Sequence, residues 1–110
     1  MNLKTTASRA LSFLCLAIGL PAQAQGTAAQ GALYVKSLAA TCANCHGTNG
    51  GAVEGSSVVS LAGLDKSYTV AQMTAFKTGG RPATVMHQIA KGFSGEQIES
   101  LATYFAAQKK

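Results

Sequence analysis

A chain of 110 residues has room for one domain and a modest core, here with no Trp and only 6% aromatic residues. Lys and Arg outnumber Asp and Glu by 9 to 4, for a formal charge of +5. No basic cluster interleaves with aromatics, which excludes a nucleic-acid-binding role on composition.

The first segment reads as a leader. Lys4 and Arg9 precede an apolar run from Ala10 to Leu20, Pro21 breaks it, and Ala22-Gln23-Ala24 has the small-x-small pattern of a signal peptidase site. The run is short for a bilayer span, so a cleaved signal peptide over residues 1–24 is expected rather than a retained anchor. Leu14 stands before Cys15 where a lipoprotein site wants a small residue, so no lipidation is expected. The domain is then residues 25–110, exported to the periplasm. Loss of Lys4 and Arg9 lowers its formal charge to +3. Lys66, Lys77, Arg81 and Lys91 are candidates for a cationic docking rim, with ordinary solvated charge as the competing reading.

From Thr27 to about Ala43 the Ala-rich sequence predicts a helix with Leu33, Val35, Leu38 and Ala39 as its buried stripe. Gly31 weakens that helix but would let a second helix approach closely. Gly47, Gly50, Gly51 and Gly55 mark a long irregular loop to about Ser60. A second helix is expected over Val70–Thr78, capped by Thr69 with Gln72 as capping-box partner and stopped by Gly79-Gly80. Val85–Ala90 forms a short helical piece. The last helix starts after Ser94, with Gln97 completing a capping box and Ile98, Leu101, Ala102 and Phe105 at i, i+3, i+4 and i+7. No segment alternates convincingly as a strand, so the fold class is all-α, with three to four short helices. A loop this long makes sense if it wraps around something large.

Two cysteines remain in the domain, in the run Cys42-Ala43-Asn44-Cys45-His46. Cys-x-x-Cys-His is the pattern of covalent haem attachment. Residues three apart in a helical turn lie on one side, so both thiols can add to the two vinyl groups on one side of a porphyrin. His46 can then reach the iron as an axial ligand. The competing readings are a disulfide, a redox dithiol, which would want a βαβ context, and half of a zinc site, which lacks a second half. One such motif means one haem. The chain has three candidates for the sixth iron ligand: Met73, Met86 and His87. Met73 lies between Val70 and Phe76 on a helix face, where a core methionine is the plain reading. Met86 follows a Gly-Gly-Arg-Pro turn in weakly helical sequence, where a thioether can be brought over the haem. His87, Met73 and an open site remain as alternatives.

These residues resemble the class I cytochromes c over about Gly31 to Ala107. The resemblance rests on Cys42-Ala43-Asn44-Cys45-His46-Gly47, Leu61-Ala62-Gly63-Leu64, Phe76-Lys77-x-Gly79-x-Arg81, Met86-x-x-Ile89-Ala90-Lys91-Gly92-Phe93-Ser94 and Leu101-Ala102-x-Tyr104-Phe105. It implies a class I cytochrome c fold around one covalent haem c. Cys42 and Cys45 would attach the haem, and His46 and Met86 would be the axial ligands. It also implies that Gly31 and Tyr34 pack against Leu101, Tyr104 and Phe105. Arg81 to Met86 is most similar to the cytochrome subunit of flavocytochrome c sulfide dehydrogenase, with c553 and c4 types close by. That likeness implies electron transfer without catalysis, from an FAD-containing flavoprotein partner that oxidises sulfide. A diffusible carrier for another respiratory or photosynthetic chain, or a ligand-binding haem sensor, would be the alternatives. One departure is Val59, which stands where many relatives carry a Pro whose carbonyl supports the proximal histidine. The resemblance alone therefore leaves the orientation of His46 open.

Overall fold

A computed structural model describes residues 24–110. The expected leader, residues 1–24, lies outside the described residues apart from Ala24. Among the described residues there are five helices and no strand: α1 (Ala24–Ala40), α2 (Ala43–His46), α3 (Lys66–Thr78), α4 (Met86–Lys91) and α5 (Gly95–Ala106). A 3-10 turn covers Thr48–Gly50. The all-α expectation holds, with more helices than the three to four expected.

The extra helix comes from a break where one continuous helix to Ala43 is expected. Thr41 N–H and Cys42 N–H donate to Leu38 O and Ala39 O, both at 3.1 Å and both three residues back. Thr41 Oγ1 also donates to Leu38 O at 2.7 Å. A hydroxyl that competes for a ladder carbonyl tightens and ends the helix. A new turn then starts, with Cys42 O accepting from Cys45 N–H and His46 N–H. The Cys-x-x-Cys-His run is therefore its own one-turn helix.

The stripe of α1 also differs from expectation. Val35, Leu38 and Ala39 face inward, whereas Leu33 is 69% exposed. At 100° per residue Leu33 and Val35 lie about 200° apart and cannot share a face. Gly31 has open space around it, so it is not the crossing point of two helices. The contact is made further along, where Ala39 packs with Leu101 and Phe105 of α5 beside Leu38, Leu61 and Phe93. Tyr34 meets α5 through a polar contact, its hydroxyl accepting from Gln97 Nε2 at 2.6 Å.

Helix α3 starts four residues before the expected Val70. Asp65 is its cap, and its carboxylate accepts from Tyr68 N–H at 2.9 Å. Thr69 sits inside the first turn, with Oγ1 donating to Asp65 O at 3.1 Å. Gln72 is therefore not a capping partner. The expected end is present: Gly79 adopts φ 82° and closes the helix onto Phe76 O. Helix α5 matches expectation in full. Ser94 Oγ accepts from Gln97 N–H at 3.1 Å and Gln97 Oε1 from Ser94 N–H at 2.8 Å, and Ile98, Leu101, Ala102 and Phe105 are all buried.

The loop after α2 is pinned at a few points. Gly50 O accepts from Leu61 N–H (2.7 Å), Ala62 N–H (3.1 Å) and Ser60 Oγ (2.8 Å). Gly63 N–H donates to Phe105 O at 2.8 Å, which ties the loop to the end of α5. Gly47 takes φ 80°, ψ 164°, a region open in practice only to glycine. A Cβ there would lie 2.0 Å from Gly51 O. The chain's own backbone therefore excludes a side chain at Gly47. Among the described residues no large side chain is fully buried. A core this thin is open on one side.

Two outcomes follow from these local structures. Gly47→Ala is expected to lose on the order of 1–3 kcal/mol from the left-handed backbone alone, with the clash in addition. Gly31→Ala, in a helix with open space, is expected to gain up to about 1 kcal/mol. Denaturant unfolding reads both. The hydrogen bonds from Ser67 and Tyr68 hold the Asp65 carboxyl below its ordinary value. A folded-state pKa below the unfolded one stabilises the fold above the unfolded pKa, and the effect fades as pH falls through the folded pKa. Asp65→Ala should therefore lower Tm at neutral pH, with the gap to the parent closing in strong acid.

Candidate cofactor site

The open side of the core is a cleft of about 390 Å³. One wall is α2 with the returning loop: Cys42, Cys45, His46, Val58 and Val59. Helices α3 and α4 contribute Thr69, Met73, Phe76, Met86 and Ile89, and α5 adds Leu101 and Phe105. Leu101 and Phe105 thus serve the core cluster and the cleft at once. All four residues named from the sequence, Cys42, Cys45, His46 and Met86, line this one cleft.

His46 is 8% exposed, and its Nδ1 lies 2.7 Å from Val59 O. A carbonyl only accepts, so Nδ1 carries a proton, and in the neutral imidazole the lone pair is then on Nε2. That is the arrangement in which an outer partner sets tautomer and ring direction for a metal-binding imidazole. Val59 thus offers its carbonyl without a Pro. The carbonyl is held because Ser60 and Leu61, the next two residues, both bond to Gly50 O.

Cys42 and Cys45 are free thiols, one half-buried and one exposed. Burial pushes the Cys42 thiol up, partly offset by its contact with Thr41 Oγ1. Both lie one turn apart on the same wall. Met86 is the first residue of α4 and is half-buried. Met73, expected as an ordinary core residue, is half-buried and lines the cleft as well. The face that α3 turns to the cleft is Thr69, Gln72, Met73 and Phe76, at i, i+3, i+4 and i+7. His87 is absent from the lining, and its Nδ1 is buried with no hydrogen-bond partner among the described residues.

Sequence reasoning missed the polar corner of the cleft. Arg81 is the one formally charged side chain of the lining. Its guanidinium sits 4.7 Å from the centre of the Phe76 ring and Nη1 donates to Gln72 Oε1. The signal was present as an Arg just beyond a Gly-Gly helix stop, which returns the chain toward α3. Three of the four cations expected at the rim have partners within the chain, Lys66 and Arg81 while still exposed. Lys66 pairs with Glu99 at 2.9 Å, Lys77 donates to Phe93 O, and Arg81 is bound as described.

The lining can be tested against a haem. Apart from Arg81 and a few hydroxyl and amide groups it is apolar, as a porphyrin face requires. It offers two thiols on one wall, one imidazole with a free Nε2, and thioethers on α3 and α4. Nitrogen and thioether donors of this kind suit haem iron. No group of three or more His, Cys, Asp or Glu side chains able to hold a metal ion occurs among the described residues. The residues present fit the group.

Comparison with known proteins agrees with this geometry. The family model for cytochrome c matches residues 32–108. The chain is 42% identical over 74 residues to the cytochrome subunit of sulfide dehydrogenase of Chlorobaculum tepidum, covering 66% of this chain and 64% of that one. It is 38% identical over 71 residues to a thiosulfate dehydrogenase electron acceptor of Thiomonas intermedia, covering 64% of this chain and 33% of that one. It is 34% identical over 104 residues to cytochrome c4 of Pseudomonas aeruginosa, covering 93% of this chain and 49% of that one. The aligned region thus spans between a third and two thirds of these relatives. With a family match over most of the chain and a cleft of the right chemistry, the chain belongs to the cytochrome c family, whose cofactor is covalently bound haem c.

Proposed function

We propose that the protein is a periplasmic electron-transfer cytochrome, with haem c joined to Cys42 and Cys45 and with His46 and Met86 as axial ligands. The observation that carries this reading is the convergence of all four side chains on one cleft. The haem supplies a one-electron couple when bound. The chain's own residues do the rest. Val59 O holds the His46 ring so that Nε2 presents its lone pair. Met86 brings a soft thioether, which favours the reduced metal and raises the potential. The apolar lining limits the entry of water, and a haem held by His46 and Met86 would leave no place for a substrate.

The donor we propose is an FAD-containing flavoprotein that oxidises sulfide. The support is the 42% identical relative named as the cytochrome subunit of a sulfide dehydrogenase. A second reading, a diffusible carrier, is favoured by the relative named as a thiosulfate dehydrogenase electron acceptor. Export rests on the leader pattern of residues 1–24. No helix among the described residues is long and apolar enough to cross a membrane.

Met86→Ala in the haem-loaded protein is expected to bind carbon monoxide rapidly when reduced, to lose the weak ferric–thioether absorption band and to have a lower reduction potential. Met73→Ala is expected to keep the band. Loss of the band in Met73→Ala, with Met86→Ala unchanged, would move the ligand to α3. Purification from the native host, followed by a flavin assay, separates the two donor readings. Stoichiometric flavin is expected for a stable subunit, and none for a free carrier.

A further inference from the structure

Helix α4 has six residues (Met86–Lys91), too few to stand alone, and Met86 is its first. Its buried side chain is a small one, Ala90. Helix α4 lies close against α3, so whatever holds the two together bears on where Met86 lies. The segment around α4 is tied back to α3 at both ends. Where it begins, Arg81 N–H donates to Ala75 O at 3.1 Å. Where it ends, Lys77, in the last turn of α3, donates through Nζ to Phe93 O. Phe93 lies outside both α4 and α5, so its carbonyl belongs to neither helix ladder. A half-buried ammonium and a carbonyl outside any ladder each need a partner, and here they supply one another.

We infer that Lys77 is a positioning residue whose ammonium clasps the Phe93 carbonyl, holds α4 against α3, and so keeps Met86 in the cleft. The inference rests on the reading of Met86 as the distal ligand. Lys77 acts on Met86 at a distance, because it is not part of the cleft lining. Arg81 also ties the segment, but it lines the cleft itself, so its substitution would not separate positioning from direct contact with the haem.

The clasp sets the balance between a closed segment, with Met86 on the iron, and an opened one. An added ligand that competes with Met86 binds only the opened form, so its apparent affinity follows that population. The test is an imidazole titration of the ferric, haem-loaded protein, followed by the change in visible spectrum, with thermal unfolding measured in parallel. Lys77→Met keeps the aliphatic stem and removes the donor. It is expected to raise imidazole affinity about tenfold, the scale of one lost charge-assisted hydrogen bond. Lys77→Arg, which can still reach a carbonyl, is expected to restore the parent value. In a Met86→Ala background the site is already open, and adding Lys77→Met should change nothing. A purely structural lysine would lower Tm while leaving imidazole affinity at the parent value, and that result would overturn the inference. An equal gain in both backgrounds would also overturn it, since Lys77 would then act without Met86. If Met86→Ala itself fails to raise imidazole affinity, the ligand reading fails, and the clasp loses its proposed purpose with it.

Discussion

The hydrogen bond between His46 Nδ1 and Val59 O joins two parts of the chain that local sequence rules treat as unrelated. His46 ends α2, and Val59 lies at the far end of the glycine-rich loop. The bond exists only if the loop returns, and the loop returns because Gly50 O accepts from Ser60, Leu61 and Ala62. Gly50 can sit there only without a side chain. At φ 79°, a Cβ would lie 2.8 Å from Leu61 Cβ and Phe105 Cδ1. The imidazole is thus directed by a run of backbone contacts that reaches the hydrophobic face of α5.

That face has a double use. Leu101 and Phe105 pack against Ala39 on one side and border the cleft on the other. A domain of this size has few large side chains to spend on a dry interior, and here none is fully buried among the described residues. Haem c, held in that cleft, would stand where a larger protein has a second layer of side chains. The arrangement would couple cofactor and fold: residues that line the cleft also hold α1 to α5, so a change in one is felt in the other.

Much of this architecture is legible in short-range sequence patterns. The capping box of Ser94 and Gln97 and the stripe of Ile98, Leu101, Ala102 and Phe105 depend on neighbours within two turns, and both are present as expected. The glycine stop at Gly79 is legible for the same reason. The differences fall where competing local choices are close in energy. Thr69 and Asp65 can both cap a helix, and Asp65 wins, starting α3 four residues earlier and adding a turn of contact. Thr41 looks neutral inside a helix, yet its hydroxyl takes Leu38 O and ends α1. Gly31 suggests a close crossing, but Ala39 makes the contact, because which small residue meets α5 depends on the angle and register of two distant helices.

Residues a few positions apart encode the attachment motif, the all-α class and the apolar face of α5, so the amino-acid order alone is enough for each of these. Whatever depends on distant segments meeting was settled by the folded chain. It brought Val59 O, not a proline carbonyl, to the back of His46. It put both Met73 and Met86 on the cleft and left His87 off it. It gave three of the four candidate docking cations partners within the chain, with Lys66 and Arg81 still exposed. The physical reason is the same in each case: a side chain's partner across the fold is chosen by how loops close and helices pack, and neither is written in local spacing.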